Sequence, residues 1–550
     1  MDIKRLIIFV VFSFSILMLW DAWHAKNQPV NVETQTANAE NAAAVDATLP
    51  AASSAADVNT ADTNGMEKLA PGQRIKVNTD LYQAEISTIG GDLRHLILKK
   101  HRADGKGEGR FVLMDDAAEN PMLYVAQSGL IGADLPNHKT VFTSEENNYS
   151  LQTNADALKV MLSWAGNGLT VDKIYTFHRG RYEIDVTHVV HNASGTEVTP
   201  SVYYQITHDS ESNQGSAFMP TFTGGAYYTD VDKFKKIKFT DMADANLSLK
   251  SKDGWIGVIQ HYFASAWIPK AGTQDEFYTK QLADNLYAVG VVNPIGKMTP
   301  DATTEVSATL FAGPQTETDL EAAAPGLEYA VDYGWLTIIA KPLFWLLSKI
   351  HGFIGNWGVA IIILTIMLKA AFFKLSAASY RSMAHMREMA PRMQSLKEKF
   401  GDDKQKLQQA MMEMYRKEKI NPLSGCLPIL VQIPVFIALY WVLLGTVELR
   451  HAPFFGWITD LSAKDPYYIL PILMGASMIM QTYLNPAPAD PLQAKLMKIM
   501  PVVFSIFFFF FPAGLVLYWL VNNILSIAQQ WYINKTIHAE TLAKKGSAKR

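Results

Sequence analysis

The chain has 550 residues, 49% of them hydrophobic and 18% charged, with a formal net charge of -3. Its single cysteine, Cys426, excludes a disulfide framework, so the fold must stand on its packed cores. The near balance of charge hides two regimes, because the apolar residues concentrate after residue 334 while the preceding half reads as water-soluble.

At the N-terminus, Lys4 and Arg5 precede an apolar run from Leu6 to Trp20. No Ala-x-Ala cleavage site follows closely, and Trp20 and Trp23 suit an interface, so residues 1–24 are expected to be a retained transmembrane anchor with a cytoplasmic N-terminus. Residues 25–70 are rich in Ala, Thr, Asn and Ser and too poor in large apolar side chains to offset ordering entropy. They are expected to be a disordered periplasmic linker. Between Asn27 and Glu67 there are six acids and no Lys or Arg, as a translocated segment should have.

Residues 71–320 alternate apolar and polar side chains in short runs, among them Leu169 to Phe177, Tyr182 to Val190, Ser201 to Thr207 and Trp255 to Gln260. Turn clusters at Gly90-Gly91, Ala165 to Gly168 and Asn192 to Gly195 separate such runs, and the pattern predicts one large all-β sandwich domain. His178, His188, His191 and His208 fall within it. Without tight ligand spacing they read as surface or internally satisfied residues, and no metal is expected.

Residues 334–350 are amphipathic, with Leu336, Ile339, Leu343, Leu346 and Ile350 on one helical face, and are expected to lie on the outer membrane surface. Five apolar segments follow at 353–373, 423–447, 467–484, 496–511 and 513–533, each long enough or nearly so to cross a bilayer. Phe511-Pro-Ala-Gly514 separates the last two with a tight turn. With the anchor this makes a polytopic α-helical membrane protein of six spans around a five-helix core, both termini cytoplasmic. Charge agrees with that topology. Residues 374–421, expected to be a cytoplasmic helical hairpin, carry eleven Lys or Arg against six acids, and 534–550 form a basic cytoplasmic tail. The 496–511 segment gives about 24 Å of helix against a ~30 Å hydrocarbon core, which local bilayer thinning accommodates.

Lys369 lies inside one of these spans, where an ammonium costs about 2.5 to 3.5 kcal/mol on insertion scales. Near the span's end it has two readings, a functional charge or a lysine snorkelling to the interface. Thr365 and Lys369 are four apart, as are Tyr518, Asn522 and Ser526 in succession, and Ser477 with Gln481; Gln432 stands in another span. Residues at that spacing share a helix face, so they bond helices together or line a wet groove. For Lys369, Thr365, Gln432, Tyr518 and Asn522 the groove is the preferred reading. The five bundle spans contain no Asp or Glu to pair with Lys369, which leaves a cation for an anionic segment from outside. In the hairpin, Met383, Met386, Met389 and Met393 form a stripe beside Arg381 and Arg387. Methionines suit a surface that accepts many apolar partners, or fill an ordinary hairpin seam.

Catalytic motifs are missing: there is no Walker A sequence, no His-Glu-x-x-His, no Gly-x-Ser-x-Gly and no carboxylate pair within the spans. Neither enzyme nor cofactor chemistry is expected.

The stretches Gly401-Asp-Asp-Lys-Gln405, Asn421-Pro-Leu-Ser-Gly-Cys-Leu-Pro428, Val447-Glu-Leu-Arg450, Asp465-Pro-Tyr-Tyr-Ile-Leu-Pro-Ile-Leu-Met-Gly475 and Phe511-Pro-Ala-Gly-Leu-Val-Leu-Tyr518 carry a resemblance. In them, and in its layout from end to end, the chain resembles the bacterial YidC membrane protein insertases of the Oxa/Alb/YidC group, of the Gram-negative type. The resemblance implies insertion, folding and assembly of inner-membrane proteins through a hydrophilic groove, open to cytoplasm and lipid and closed outside, without nucleotide hydrolysis. It places Lys369 where many relatives carry arginine, assigns Thr365 and Tyr518 to client contact, and assigns the hairpin to client reception. It implies a galactose-mutarotase-like sandwich, with no sugar-site constellation to carry over. The implied partners are nascent membrane proteins, the Sec translocon with its accessory subunits, the ribosome and the signal recognition receptor at the cytoplasmic loops and tail, and the lipid bilayer, with no specific nucleic-acid sequence. The rival readings are a secondary transporter or channel and an anchored periplasmic binding module.

Overall fold

Along Leu169–His178 every second side chain turns inward, so that Leu169, Val171, Tyr175 and Phe177 enter one apolar core. The same period along the other strands folds them into two packed layers. The computed structural model describes residues 69–103, 109–116, 122–132, 135–210, 221–283, 285–400, 403–417, 427–484 and 491–547. The anchor expected at 1–24 and nearly all of the linker expected at 25–70 lie outside the described residues. The chain divides into a sandwich ending at Asp332 and a helical unit beginning at Tyr333.

The sandwich packs a ten-stranded sheet on a nine-stranded sheet. Ser201–Asp209 pairs antiparallel with both Leu123–Ile131 and Leu286–Pro294 in the first. Glu183–Asn192 does the same with Leu169–His178 and Thr303–Pro314 in the second. The predicted turn at Ala165 to Gly168 is a two-residue hairpin, and Asn167 (φ 51°) with Gly168 (φ 73°) gives the two left-handed positions that a type I′ turn requires. Two short helices join this core, α1 (Phe239–Asp244) and α2 (Glu317–Ala323). Thr316 caps α2 by accepting from the Asp319 amide, and Leu320 and Leu327 are wholly buried, so the domain runs past its expected end at 320.

One inward position breaks the apolar pattern. Lys173 is fully buried between Val171 and Tyr175, and its ammonium donates to the Gly90 and Ser128 carbonyls, at 3.0 Å each, with Asp92 at 3.8 Å. It thereby pins the Gly90-Gly91 turn, whose two left-handed residues leave carbonyls that strand pairing does not use.

The four histidines lie apart in separate local bonds. His178 meets Asp185 at 2.7 Å, His191 meets Thr303 at 3.0 Å, and His188 is buried beside Tyr204. Among the described residues no group of His, Cys, Asp or Glu is placed to hold a metal.

In the helical unit, α3 (Thr337–Ile354) and α4 (Trp357–Ala371) meet at a sharp corner. Gly355 (φ 73°) ends α3 and the Asn356 side chain accepts from the Val359 amide to start α4. This corrects the span expected at 353–373, because its first residues belong to the preceding helix. The amphipathic helix expected at 334–350 therefore runs on to Ile354. Its buried face is Leu336, Ala340, Leu343, Phe344 and Leu347, rotated from the expected one, since both α4 and the helix Leu427–Gly445 pack against it.

After α4 the chain bends by 64° into α5 (Phe373–Glu388), followed by α6 (Ala390–Phe400) and α7 (Lys404–Lys417). The first arm of the expected hairpin is thus broken at Met389. The remaining helices are α8 (Leu427–Gly445), α9 (Ile469–Leu484), α10 (Pro491–Phe508) and α11 (Ala513–Ser547). The expected turn falls at Pro512, but α10 begins and ends earlier than the 496–511 segment, and the 513–533 segment and most of the 534–550 tail form one helix of 35 residues.

Among the described residues no single helix is both long and apolar enough to cross a membrane, while the bent pair Trp357–Ala371 and Phe373–Ser382 meets that measure together. The outer faces are nonetheless apolar: Ile366, Ile472, Val502, Val503, Ile506 and Ile524 are each about half exposed. Side chains of that kind turned outward on successive helices are those of a bundle whose surroundings are as apolar as its interior.

In the sandwich, the His208 ring is buried against Tyr124 and Phe239, and burial pushes it down to about 4 from its ordinary 6.5. Between those values the unfolded chain holds a proton that the fold excludes. Stability from this group is therefore complete above 6.5 and declines as pH falls toward 4, by about 1.4 kcal/mol per pH unit. Asp275, pushed up to about 6 by burial, works in the opposite sense, so the comparison requires a variant that retains it. Thermal unfolding of the sandwich expressed alone should show wild type losing about 2–3 kcal/mol relative to His208→Asn between pH 7 and pH 4.5; parallel pH profiles would exclude a neutral buried His208.

Candidate functional site

Three helices meet around a cavity of about 50 Å³. Thr365, Leu368 and Lys369 reach it from α4 with Phe372 just beyond, Gln432, Val435 and Phe436 from α8, and Tyr518 and Asn522 from α11. The five groove residues nominated from sequence thus line a single cavity. Their spacing explains how, since four-residue steps on α4 and α11 keep each pair on one face.

Lys369 occupies the last turn of α4, where the helix carbonyls favour a cation. Its ammonium donates to Ser526 Oγ at 2.7 Å, and the Ser526 hydroxyl in turn donates to the Asn522 carbonyl at 2.7 Å. Among the described residues no carboxylate pairs with Lys369. Thr365, also buried, spends its hydroxyl proton on the Ile361 carbonyl at 2.6 Å. Phe436 wedges α8 against α11, with its ring centroid 5.6 Å from that of Tyr518 and 4.2 Å from that of Trp519. The site therefore offers one cation, hydroxyls and side-chain amides on an apolar frame. It can bind an anionic group.

The connection between α8 and α9 covers the opposite ends of α4 and α11. The Asn356 amide donates to the Phe454 carbonyl at 3.2 Å, and the amides of Ala513 and Gly514 donate to the carbonyls of Ala463 and Leu461 at 2.7 and 2.8 Å. Gly358 is required there, because a Cβ would lie 2.1 Å from the Phe454 ring.

The hairpin expected at 374–421 is described in part. Arg381 is exposed, Met389 is buried, and Met393 accepts from the Tyr415 hydroxyl at 3.3 Å across the seam between α6 and α7. The side chains of Met383, Met386 and Arg387 lie outside the described residues. Ser477 is buried and receives an Asn523 hydrogen bond at 3.3 Å, so this polar position joins α9 to α11 and lies outside the cavity.

Sequence reasoning missed Ser526 as the partner of Lys369, although it is the third member of the Tyr518, Asn522, Ser526 series. It also missed the apolar walls Leu368, Phe372, Val435 and Phe436, which look like any other lipid-compatible residues.

Comparison with known proteins also divides the chain in two, with the break inside α3 and not at Asp332. Residues 74–346 match the family model described as the YidC periplasmic domain, and residues 349–540 match that of the 60Kd inner membrane protein. The membrane protein insertase YidC of Methylobacillus flagellatus is 61% identical over 100% of both chains. Among solved structures, an active YidC insertase with its first transmembrane domain resolved matches at 18% identity and a TM-score of 0.39, covering 84% of this chain and 93% of that one. A galactose mutarotase related enzyme from Lactobacillus acidophilus matches at 9% identity and a TM-score of 0.31, covering 44% and 97%. Those two scores are too low to add weight to the sequence identities.

The position of the Lys369 helix depends on its capped start. Asn356→Ala removes the cap and the tie to Phe454, and should lower stability by about 1–2 kcal/mol. Thermal unfolding in detergent should report a melting point several degrees lower, and an unchanged one would show that the corner is held by packing alone.

Proposed function

Because the chain belongs to the YidC family of membrane protein insertases, we propose that it inserts nascent membrane proteins into the bacterial inner membrane by offering Lys369 as a cationic foothold. The observation that carries this reading is a half-buried ammonium, without a carboxylate partner among the described residues, on a helical unit whose outer faces are apolar.

An acidic N-terminal or loop segment of the client is drawn toward the Lys369 charge from the cytoplasmic side, which shortens the polar distance it must cross. Its apolar segment then slides past the helices into lipid, driven by hydrophobic partitioning, so no nucleotide is consumed. Phe436, packed against Tyr518 and Trp519, forms the α8–α11 wall beside that charge. In this reading the helical unit with the N-terminal anchor makes six spans, with both termini cytoplasmic and the sandwich periplasmic. The hairpin of α5 to α7, with Arg381, Arg387, Met383 and Met386, receives clients, and the loops and tail meet the ribosome, the signal recognition receptor and the Sec translocon.

Purified protein in vesicles should insert a client with an acidic tail about tenfold less well after Lys369→Glu, the effect of ~1.4 kcal/mol. Lys369→Arg should retain most of the activity, and added salt should narrow the gap. Equal insertion by wild type and Lys369→Glu would remove the charge from the mechanism.

A further inference from the structure

An ammonium at the last turn of α4 has two directions open to it. Its four-carbon stem can snorkel outward to interfacial water, or it can fold inward onto α11. The second is the one observed, and the reason lies in Ser526.

Ser526 is buried, one helical turn beyond Asn522. Its hydroxyl proton is committed to the Asn522 carbonyl at 2.7 Å, which leaves only lone pairs to face outward, and Lys369 Nζ sits on them at 2.7 Å. Back-bonding thus turns a hydroxyl that could donate or accept into a fixed acceptor, suited to a cation and unsuited to a carboxylate. The Tyr380 hydroxyl on α5 also interacts with Ser526. One turn further along α11, Gln529 donates to the Phe373 carbonyl at 3.3 Å, fastening α11 to the start of α5. The α4–α5 bend, where the lysine stands, is therefore tied to α11 on both sides. A lysine ammonium has three protons, and Ser526 uses one.

We propose that Ser526 is a positioning residue, which holds the Lys369 ammonium at the cavity and keeps its remaining donors for the client's carboxylates. Lysine needs such a holder more than arginine does, because its charge is a point on a flexible stem. This inference rests on the insertase reading given above, and the two are separable by experiment.

The test is insertion by the full chain in vesicles, with a client carrying an acidic tail and the same client carrying a neutral tail as internal reference. Ser526→Ala should reduce the acidic-to-neutral ratio about tenfold, the scale of a hydrogen bond to a charged group. Ser526→Thr, whose hydroxyl can back-bond in the same way, should restore it. A ratio lost in Lys369→Ala but kept in Ser526→Ala overturns the role of Ser526 and leaves the cationic foothold intact. A ratio unchanged in Lys369→Ala overturns both. Equal loss for both clients in Ser526→Ala and Ser526→Thr also overturns the proposal, since it would mark Ser526 as a packing residue.

Discussion

A cation held in an apolar helical unit, with no carboxylate paired to it among the described residues, is the condition to which the rest of that unit is fitted. Placing Lys369 there is costly unless the charge finds hydroxyls, helix carbonyls or water. The chain provides the first two: Ser526 and the end of α4. The corner at Gly355 and Asn356 fixes where α4 begins, its fifteen residues fix where the lysine falls, and the following 64° bend keeps the helix from carrying it deeper into an unbroken span. The α8–α9 connection then ties the opposite ends of α4 and α11, the first through the Asn356 side chain and the second through backbone bonds, which leaves the lysine end as the place where the three helices enclose space.

The sandwich contains a fully buried lysine that resolves the same problem in the opposite way. Lys173 in the sandwich has two carbonyls at 3.0 Å and Asp92 at 3.8 Å, so its charge is spent locally, on holding a turn. Lys369 has one hydroxyl. The difference between a structural cation and an available one lies in how many of its three protons the protein itself uses.

Much of this was legible in the sequence, for physical reasons that also explain the failures. Strand alternation foretold the sandwich because each inward side chain must be apolar, and the hairpin at Asn167-Gly168 because few residues accept two positive φ values. The same logic could not foretell Lys173, since its partners are carbonyls contributed by distant turns. Hydropathy joined α3 to α4 because it averages across Gly355-Asn356, although a glycine followed by an asparagine is the stop-and-start signal that the local geometry uses. The cavity residues were found because polar side chains in apolar helices are few and their spacing of four is exact evidence of a shared face. Its apolar walls were invisible, because a phenylalanine that faces a cavity and one that faces lipid look alike.

One feature of α11 reaches beyond the site. A continuous helix of 35 residues is about 52 Å long, far more than a ~30 Å hydrocarbon core. Tyr518, Asn522 and Ser526 lie within its first half, and the same backbone carries on, unbroken, through Lys535. Such a helix behaves as a stiff shaft. A large body seated on its far end would apply torque to the wall of the cavity directly, with no flexible joint between, so that the arrival of a client's source and the orientation of Ser526 would be mechanically one event.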